Sequence, residues 1–273
     1  MNYEHEYHAG NHTEVFKHSA LVLLLEYLKR KPKPFVIIDT HAGRGLYALG
    51  SEKALKTREA SAGIGPIYAQ ADLKLASTYL KIVRDLNPGT LKIYPGSPAV
   101  VRALLRDQDR LVACELRKSD YEFLRALFSS DNRASVHHRD GYECLYGLIP
   151  PRENRGLVFI DPPFEIENEF DALAKAMISG IKKWRNGIFV GWYPIKEWRR
   201  PRSLVEEIRS SGVRALSVQF CRYPVDSARL AGSGLILCNP PWQMDIRLRR
   251  LCAELARAFD IRKPLWKVEQ LGS

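Results

Sequence analysis

The string Asp161-Pro162-Pro163-Phe164 contains the residue types needed to hold an amino group for reaction. It follows the apolar run 156–160, and its two prolines cannot continue a sheet ladder, so the Asp161 carboxylate and the Pro162 carbonyl can accept hydrogen bonds in a cleft. The exocyclic amine of adenine is a poor nucleophile because its lone pair is delocalised into the ring. Two acceptors for its hydrogens favour in-line attack on a methyl group, and Phe164 can stack on the purine. An isolated string of this kind also fits a strand followed by a proline turn.

A second string, Asn239-Pro240-Pro241-Trp242, has the same order of polar residue, two prolines and an aromatic ring. It follows the last strand of the predicted series, at the edge of the sheet. The slot beside the first strand, where a cofactor binds in open α/β sheets, is filled by the Asp161 string. We therefore predict that Asn239 forms a structural turn.

Carboxylates also stand where other predicted strands end. Asp39 closes the first strand and precedes the loop 41–45, whose two glycines allow the backbone to approach a cofactor closely. Glu115 closes the next strand and can accept both hydroxyls of a ribose. Asp140, followed by Gly141, can accept an adenine amino hydrogen or cap the following helix. Each of these residues, taken alone, also has a purely structural explanation. Together they lie at one rim of the predicted sheet, and this combination favours a nucleotide-like ligand.

The elements that must position these residues alternate between strands and helices. A helix is predicted over 13–30, with Thr13 as its N-cap and the segment 31–34 as its end. Short apolar runs rich in β-branched residues predict strands at 35–39, 111–115, 134–140, 157–161, 187–192, 215–220 and 235–239. Amphipathic segments separate most of them. This order predicts an α/β fold with a mostly parallel seven-stranded sheet and helices on both faces, the layout of Rossmann-like class I methyltransferases.

Two segments depart from simple alternation. About 70 residues separate the first strand from the strand ending at Glu115, too many for one crossover helix, and 51–87 is helix-forming. We predict a helical insertion over 51–93, with the core built from 1–50 and 94–273. The short connection 222–233 predicts an antiparallel hairpin at one edge of the sheet.

The composition is that of an ordinary globular protein, with 45% hydrophobic and 27% charged residues. The longest apolar run, 20–25, is too short to cross a bilayer, and the first residues have no secretion signal, so we expect a cytoplasmic protein. We also expect it to be a monomer. Five cysteines without a Cys-x-x-Cys pair predict free thiols, and the histidine spacings resemble no common metal site.

The net charge of +11 is concentrated near the C-terminal end. Residues 182–273 have 18 basic and 8 acidic side chains, whereas the first 181 residues have 24 and 23. Arginines cluster at 199–202 and at 247–250. A single cluster also fits a solvated helix face, but the one-sided excess favours a nucleic-acid partner, with both clusters along its path.

These motifs together resemble the ribosomal RNA large subunit methyltransferase J family over nearly the whole chain. The resemblance rests on Tyr7-His8-Ala9-Gly10-Asn11-His12, Lys17-His18, Asp39-Thr40-His41-Ala42-Gly43, Tyr94-Pro95-Gly96-Ser97-Pro98, Glu115, Asp140-Gly141, Asp161-Pro162-Pro163-Phe164, Trp192-Tyr193-Pro194 and Asn239-Pro240-Pro241-Trp242. It implies a Rossmann-like enzyme with a small helical insertion. Such an enzyme uses S-adenosylmethionine to methylate N6 of one adenine in 23S rRNA and releases S-adenosylhomocysteine.

Carried over position by position, the resemblance implies cofactor contacts at His18, His41, Ser97, Glu115, Asp140, Gly141 and Asp161. It makes Asp161 the catalytic residue and Tyr3 a contact to the RNA. The assignments of Ser97 and Tyr3 rest on the resemblance alone. Phe164 stands where the family commonly has tyrosine, which keeps the stacking face and loses only the hydroxyl.

Other classes of protein fit the sequence less well. A DNA adenine-N6 methyltransferase usually needs an added target-recognition segment, for which this chain has little spare length, whereas unpaired RNA bases are accessible without one. A non-catalytic RNA-binding module explains the basic C-terminal third but not the carboxylates at successive strand ends. A nicotinamide dehydrogenase requires a third glycine and an acidic residue about 20 positions further on. The loop 41–45 lacks the third glycine, and Glu115 is far too distant in the sequence.

Overall fold

The computed structural model describes residues 4–225, 229–263 and 265–272. The strands are β1 (Val36–Asp39), β2 (Leu46–Ala48), β3 (Ile93–Pro95), β4 (Arg110–Glu115), β5 (Ala134–His138), β6 (Gly156–Ile160), β7 (Ile188–Ile195), β8 (Ala215–Cys221), β9 (Gly232–Cys238) and β10 (Leu265–Leu271). The helices are α1 (His12–Lys29), α2 (Glu52–Thr57), α3 (Glu59–Ala62), α4 (Ile64–Tyr68), α5 (Ser77–Asp85), α6 (Ser97–Leu104), α7 (Lys118–Leu127), α8 (Gly141–Leu148), α9 (Glu169–Lys183), α10 (Arg199–Ser210) and α11 (Met244–Ala258). None of the helices in these ranges is both long and apolar enough to cross a membrane.

Eight strands form one central sheet in the order β10-β8-β9-β7-β6-β1-β4-β5. β5, β4, β1, β6 and β7 are parallel, and β8, β9 and β10 pair antiparallel with their neighbours. Every residue of β1 and β6 is buried, as expected for continuous apolar runs at the centre of a parallel sheet. The predicted α/β class and the β8–β9 hairpin are therefore confirmed.

The predicted count of seven strands is wrong, because β10 was missed. β10 pairs only with β8, and it, rather than the hairpin, forms the edge of the sheet. Only Val268 and Leu271 of its residues are buried, so this run lacks the apolar character that marks the other strands. The short ribbon of β2 and β3 was also not predicted.

Helix α1 begins at His12, and its N-cap is Asn11 rather than Thr13. Oδ1 of Asn11 accepts hydrogen bonds from the backbone N–H groups of Thr13 (3.0 Å) and Glu14 (2.9 Å), which have no partner inside the helix. Nearly all of α1 is buried. Its polar residues are therefore placed inside the molecule.

The two faces of the sheet are covered by different helices. α1, α5, α6 and α11 contribute to the apolar core on one face, and α8, α9 and α10 contribute to the core on the other. The segment predicted as an insertion contains α2 to α5. Glu254 of α11 accepts hydrogen bonds from the backbone N–H groups of Lys74, Leu75 and Ala76 at 2.9–3.1 Å, which joins this segment to the core. Its boundaries as a separate unit stay a prediction.

Candidate active site

A cavity of about 1160 Å³ lies where the parallel strands β1, β4 and β6 end. The predicted site residues that line it are His18, His41, Ser97, Glu115, Asp140, Gly141, Asp161 and Phe164. They come from six separate segments of the chain, and the fold brings them to one rim. Tyr3 lies outside the described residues.

Glu115, at the end of β4, fixes the glycine-containing loop that follows β1. Its two carboxylate oxygens accept hydrogen bonds from the backbone N–H groups of Gly43 (2.8 Å) and Arg117 (2.6 Å). Gly43 and Gly45 have φ angles of +60° and +84°, which favour glycine. Burial raises the pKa of Glu115. Each oxygen keeps a second lone pair, so the carboxylate can still accept a hydrogen bond from a ligand.

Asp140 caps helix α8, as one of its two predicted roles requires. Its Oδ1 accepts hydrogen bonds from the backbone N–H groups of Tyr142 (2.9 Å) and Glu143 (3.0 Å). A Cβ atom on Gly141 would lie 2.1 Å from the carbonyl oxygen of Thr40, so only glycine lets the start of α8 approach the end of β1 this closely. These contacts place the Asp140 carboxylate at the wall of the cavity.

His18 and His41, the two histidines predicted to contact the cofactor, are neutral at neutral pH. Burial lowers the pKa of His41 to about 4 and that of His18 to about 3. Nδ1 of His41 lies 2.8 Å from the Thr40 hydroxyl, and Nδ1 of His18 lies 3.0 Å from the Tyr94 hydroxyl. Both rings are therefore fixed as uncharged hydrogen-bonding groups.

The Asp161 carboxylate forms a buried ion pair that the sequence analysis missed. Nζ of Lys17 in α1 lies 2.5 Å from Oδ2 of Asp161 and also pairs with Glu14 one helical turn earlier. Glu14 pairs in turn with His5 at 2.8 Å. A detectable signal was the Glu14–Lys17 spacing of three residues, which places opposite charges on neighbouring turns of a helix predicted to pack on the core.

The charges of this cluster compensate one another. Burial opposes ionisation of Lys17, but the carboxylates of Asp161 and Glu14 outweigh it and raise the Lys17 pKa. Burial also opposes ionisation of Glu14, but its ion pairs with His5 and Lys17 hold its pKa well below its usual range. Burial raises the pKa of Asp161, and Lys17 acts against this shift. Lys17 therefore stays protonated and holds Oδ2 of Asp161, which leaves Oδ1 to face a ligand.

Aromatic side chains form the wall next to Asp161. Phe164 has a φ angle of +52°, an uncommon conformation for a bulky residue that is often found at functional sites. Its ring makes edge contacts with Phe170 and Trp192, at centroid distances of 4.7 and 5.8 Å. Nζ of Lys17 lies 5.4 Å from the Trp192 ring centroid. The side chain predicted to stack on a base is thus held in place by its neighbours.

Asn239 lies at the opposite end of the sheet from Asp161, because β9 is antiparallel to β7. Its amide nitrogen donates to the carbonyl oxygens of Arg185 and Gly187 at 3.2 Å, and its oxygen accepts from Arg214 at 3.2 Å. It does not line the cavity. This is the geometry of a structural turn.

Asp39 at the end of β1 is fully buried, and hydrogen bonding from Ser97 and the backbone of His41 offsets only part of the cost of burying its charge. Burial raises its pKa to about 7, well above its value in an unfolded chain. Between about pH 4 and 7 the folded state therefore binds more protons than the unfolded state, and the free energy of unfolding falls as the pH rises.

We expect Asp39→Asn to remove this pH dependence. The variant should be more stable than the parent at pH 8, by an amount on the order of 2 kcal/mol, with a smaller gain at pH 5. Urea unfolding of both proteins at several pH values measures the difference. Parallel stability curves for the two proteins would contradict this role of Asp39.

Comparisons with known proteins agree with the motifs and the fold. Residues 32–270 match the family described as ribosomal RNA large subunit methyltransferase D, RlmJ. The chain is 39% identical over 255 residues to the ribosomal RNA large subunit methyltransferase J of Escherichia coli K12, covering 92% of this chain and 91% of that protein. The enzyme of the same name from Haemophilus influenzae is 37% identical over 264 residues, covering 95% and 94%.

The crystal structure of a Legionella pneumophila protein has a TM-score of 0.90 to this structure, at 32% identity. The match covers 97% of this chain and 98% of that one. The family predicted from the motifs is thus confirmed. The chain belongs to the RlmJ family of ribosomal RNA large subunit methyltransferases.

Proposed function

We propose that the protein transfers the methyl group of S-adenosylmethionine to N6 of one adenine in 23S rRNA. The observation that carries this proposal is the position of Asp161 and Phe164 after β6, beside β1, in one cavity with Glu115 and Asp140. Membership of an rRNA methyltransferase family supports the substrate class. We expect the enzyme to act as a monomer in the cytoplasm.

The described residues fit a nucleoside-containing cofactor. Glu115 can accept the ribose hydroxyls, and Asp140 lies one strand further along the same rim, where it can accept the adenine amino group. The glycines of the loop 41–45 and Gly141 leave room for a close backbone approach. The resemblance adds His18, His41 and Ser97 as contacts. When bound, S-adenosylmethionine supplies an electrophilic methyl group.

The substrate side of the cavity is formed by the Asp161 string. Oδ1 of Asp161 and the Pro162 carbonyl accept the two hydrogens of the adenine amine, while Phe164 stacks on the ring. N6 then forms a bond to the methyl carbon as the bond from sulfur breaks, and one proton leaves N6 to solvent. S-adenosylhomocysteine is the second product. We propose Tyr3 as an additional contact to the RNA.

The most direct test is transfer of a labelled methyl group from S-adenosylmethionine into 23S rRNA, with the modified base mapped. Incorporation at N6 of a single adenine is the expected result. A single-stranded DNA of the same sequence serves as the comparison substrate. Preferential methylation of DNA would favour the DNA enzyme, and binding of RNA without transfer would favour the non-catalytic module.

We expect Glu115→Ala to weaken binding of both S-adenosylmethionine and S-adenosylhomocysteine by roughly 1 to 3 kcal/mol, because charge-assisted hydrogen bonds to the ribose are lost. The backbone N–H groups of Gly43 and Arg117 also lose their acceptor. Glu115→Gln keeps an acceptor and should lose less. Calorimetry measures both affinities.

Glu122→Ala is the matched control, since it removes the same charge from the exposed surface of α7. Its affinity for both ligands should equal that of the parent. Unchanged affinity in a folded Glu115→Ala protein would reject the proposed contact.

A further inference from the structure

A second cavity, of about 740 Å³, lies between helix α10 and the edge strand β10. The residues that line it are Trp198, Arg199, Arg202, Ser203, Val205, Glu206, Arg209, Gln219, Leu265, Trp266, Lys267 and Glu269. We call it the α10–β10 groove. It combines arginines with tryptophans, the pairing that binds phosphates and stacks on unpaired bases.

The groove opens at the same edge of the sheet as the active-site cavity. β8 runs in the same direction as β7, since both are antiparallel to β9, so its last residue, Cys221, lies at that edge. Leu265 of β10 pairs with Cys221 and is therefore also at the edge, where 46% of its surface is exposed. Helix α10 follows β7 directly and begins there too.

The first turn of α10 connects the two cavities. Arg200 and Pro201 line the active-site cavity, whereas Arg199 and Arg202 line the groove. The groove is thus continuous with the wall of the site where the target adenine is proposed to bind.

The basic side chains of the groove are neutralised by carboxylates at one end and not at the other. At the far end, Arg209 pairs with Glu206 (2.7 Å) and Glu269 (3.1 Å), and Lys267 pairs with Glu269 (2.6 Å). At the end next to the active site, neither Arg199 nor Arg202 has a carboxylate within ion-pair distance in the described ranges. The positive charge available to a ligand is therefore greatest beside the active site.

Helix stability does not explain these arginines. The partial positive charge at a helix N-terminus disfavours cations, yet α10 has arginines at 199, 200 and 202 and no acidic residue in its first turn. Glu197 already accepts hydrogen bonds from the backbone N–H groups of Arg199 and Arg200. A guanidinium group at this position is therefore stabilised most by an anion that binds from outside the protein.

The other arginine cluster, on α11, has contacts within the protein and lies on a different face of the sheet. Arg247 of α11 pairs with Glu26 at 2.7 Å and donates to the Leu23 carbonyl, and Arg249 donates to the Val268 carbonyl. α11 also packs on the face of the sheet opposite to α10. The groove proposal therefore concerns only the arginines at 199–202, and the place of the second cluster on a nucleic-acid path stays a prediction.

We propose that the α10–β10 groove binds the single-stranded stretch of substrate RNA next to the target adenine, with Arg199 and Arg202 on its phosphates. This inference rests on the proposed rRNA methyltransferase function and adds the surface that holds the RNA. Phosphate contacts position a nucleic acid without reading its sequence. The groove thus fixes the direction in which the RNA enters the active site.

The test compares two variants with the same loss of charge. Arg199→Gln/Arg202→Gln changes the groove, and Arg250→Gln/Arg257→Gln changes exposed arginines of α11 on the opposite face. Affinity for a 23S rRNA fragment is measured at several salt concentrations without cofactor. Methyl transfer to this fragment and affinity for S-adenosylmethionine are then measured for each variant.

We expect the groove variant to bind the rRNA fragment about tenfold more weakly, and the slope of log affinity against log salt to fall by about 1.4, since each single-strand phosphate contact contributes about 0.7. Affinity for S-adenosylmethionine should be unchanged, because neither arginine lines the active-site cavity. The α11 variant should match the parent in every measurement.

Equal affinity and salt slope for the two variants would overturn the groove proposal. Failure of the parent protein to methylate rRNA would overturn the proposed function instead, and the RNA-binding measurement, which needs no cofactor, would still report on the groove.

Discussion

Asp161→Ala is expected to lower the single-turnover rate of methyl transfer by about a hundredfold to a thousandfold, the typical cost of losing one preorganised polar contact to a reacting group. The Asp161 carboxylate is one of two acceptors proposed for the adenine amine, and the Pro162 carbonyl and Phe164 stay in place. Lys17 keeps Glu14 as a partner in the variant, so we expect the protein to fold. Single-turnover kinetics separate this chemical step from product release.

Asp161→Asn sharpens the test because it is nearly isosteric. Its amide oxygen can still accept a hydrogen bond, so the variant should retain more activity than Asp161→Ala. Asn239→Ala is the matched control, since Asn239 belongs to the similar proline-containing string at the other end of the sheet, and it should keep most of its activity. An inactive Asn239→Ala protein together with a nearly normal Asp161→Ala protein would move the active site to the other string.

The sequence marks the strand-end residues of this site clearly. Glu115, Asp140 and Asp161 each follow a short apolar run, and parallel strands bring their carboxyl ends to one edge, so the alternation of strands and helices was enough to predict that they meet. The same argument separated Asp161 from Asn239, because it depends only on strand order. The positions of these site residues are therefore predictable from the local sequence pattern and the topology of the sheet.

Contacts between distant segments were not predictable in this way. Lys17 belongs to a helix whose apolar face is read easily, but its partner Asp161 is 144 positions away in the sequence. The choice of Asn11 over Thr13 as N-cap depends on where the backbone changes from extended to helical, and both residue types are good caps. Arg247 was read as a free basic residue because nothing local shows that Glu26 faces it across α1 and α11.

The buried position of Lys17 leads to the largest stability effect that we expect. Its Nζ is surrounded by the carboxylates of Glu14 and Asp161, and its side chain is 2% exposed. Lys17→Met keeps the apolar stem but leaves the buried Asp161 carboxylate without its cation and Glu14 with His5 as its remaining close partner. Removing one partner of a buried ion pair typically costs about 3 to 5 kcal/mol in the free energy of unfolding.

The loss in Lys17→Met should depend on pH with a definite sign. Without the cation, burial raises the pKa of Asp161, so protonation of this carboxyl group relieves the uncompensated charge as the pH falls. The difference from the parent should therefore be largest near neutral pH and smaller toward pH 4.

Glu14→Gln/Lys17→Met removes one of the buried carboxylates and should be more stable than Lys17→Met alone. Lys81→Met, which breaks an exposed pair with Asp85 on α5, should change stability little. Urea unfolding at pH 4, 5 and 7 measures these differences, and a loss for Lys17→Met that is small or independent of pH would show that the buried carboxylates find another partner.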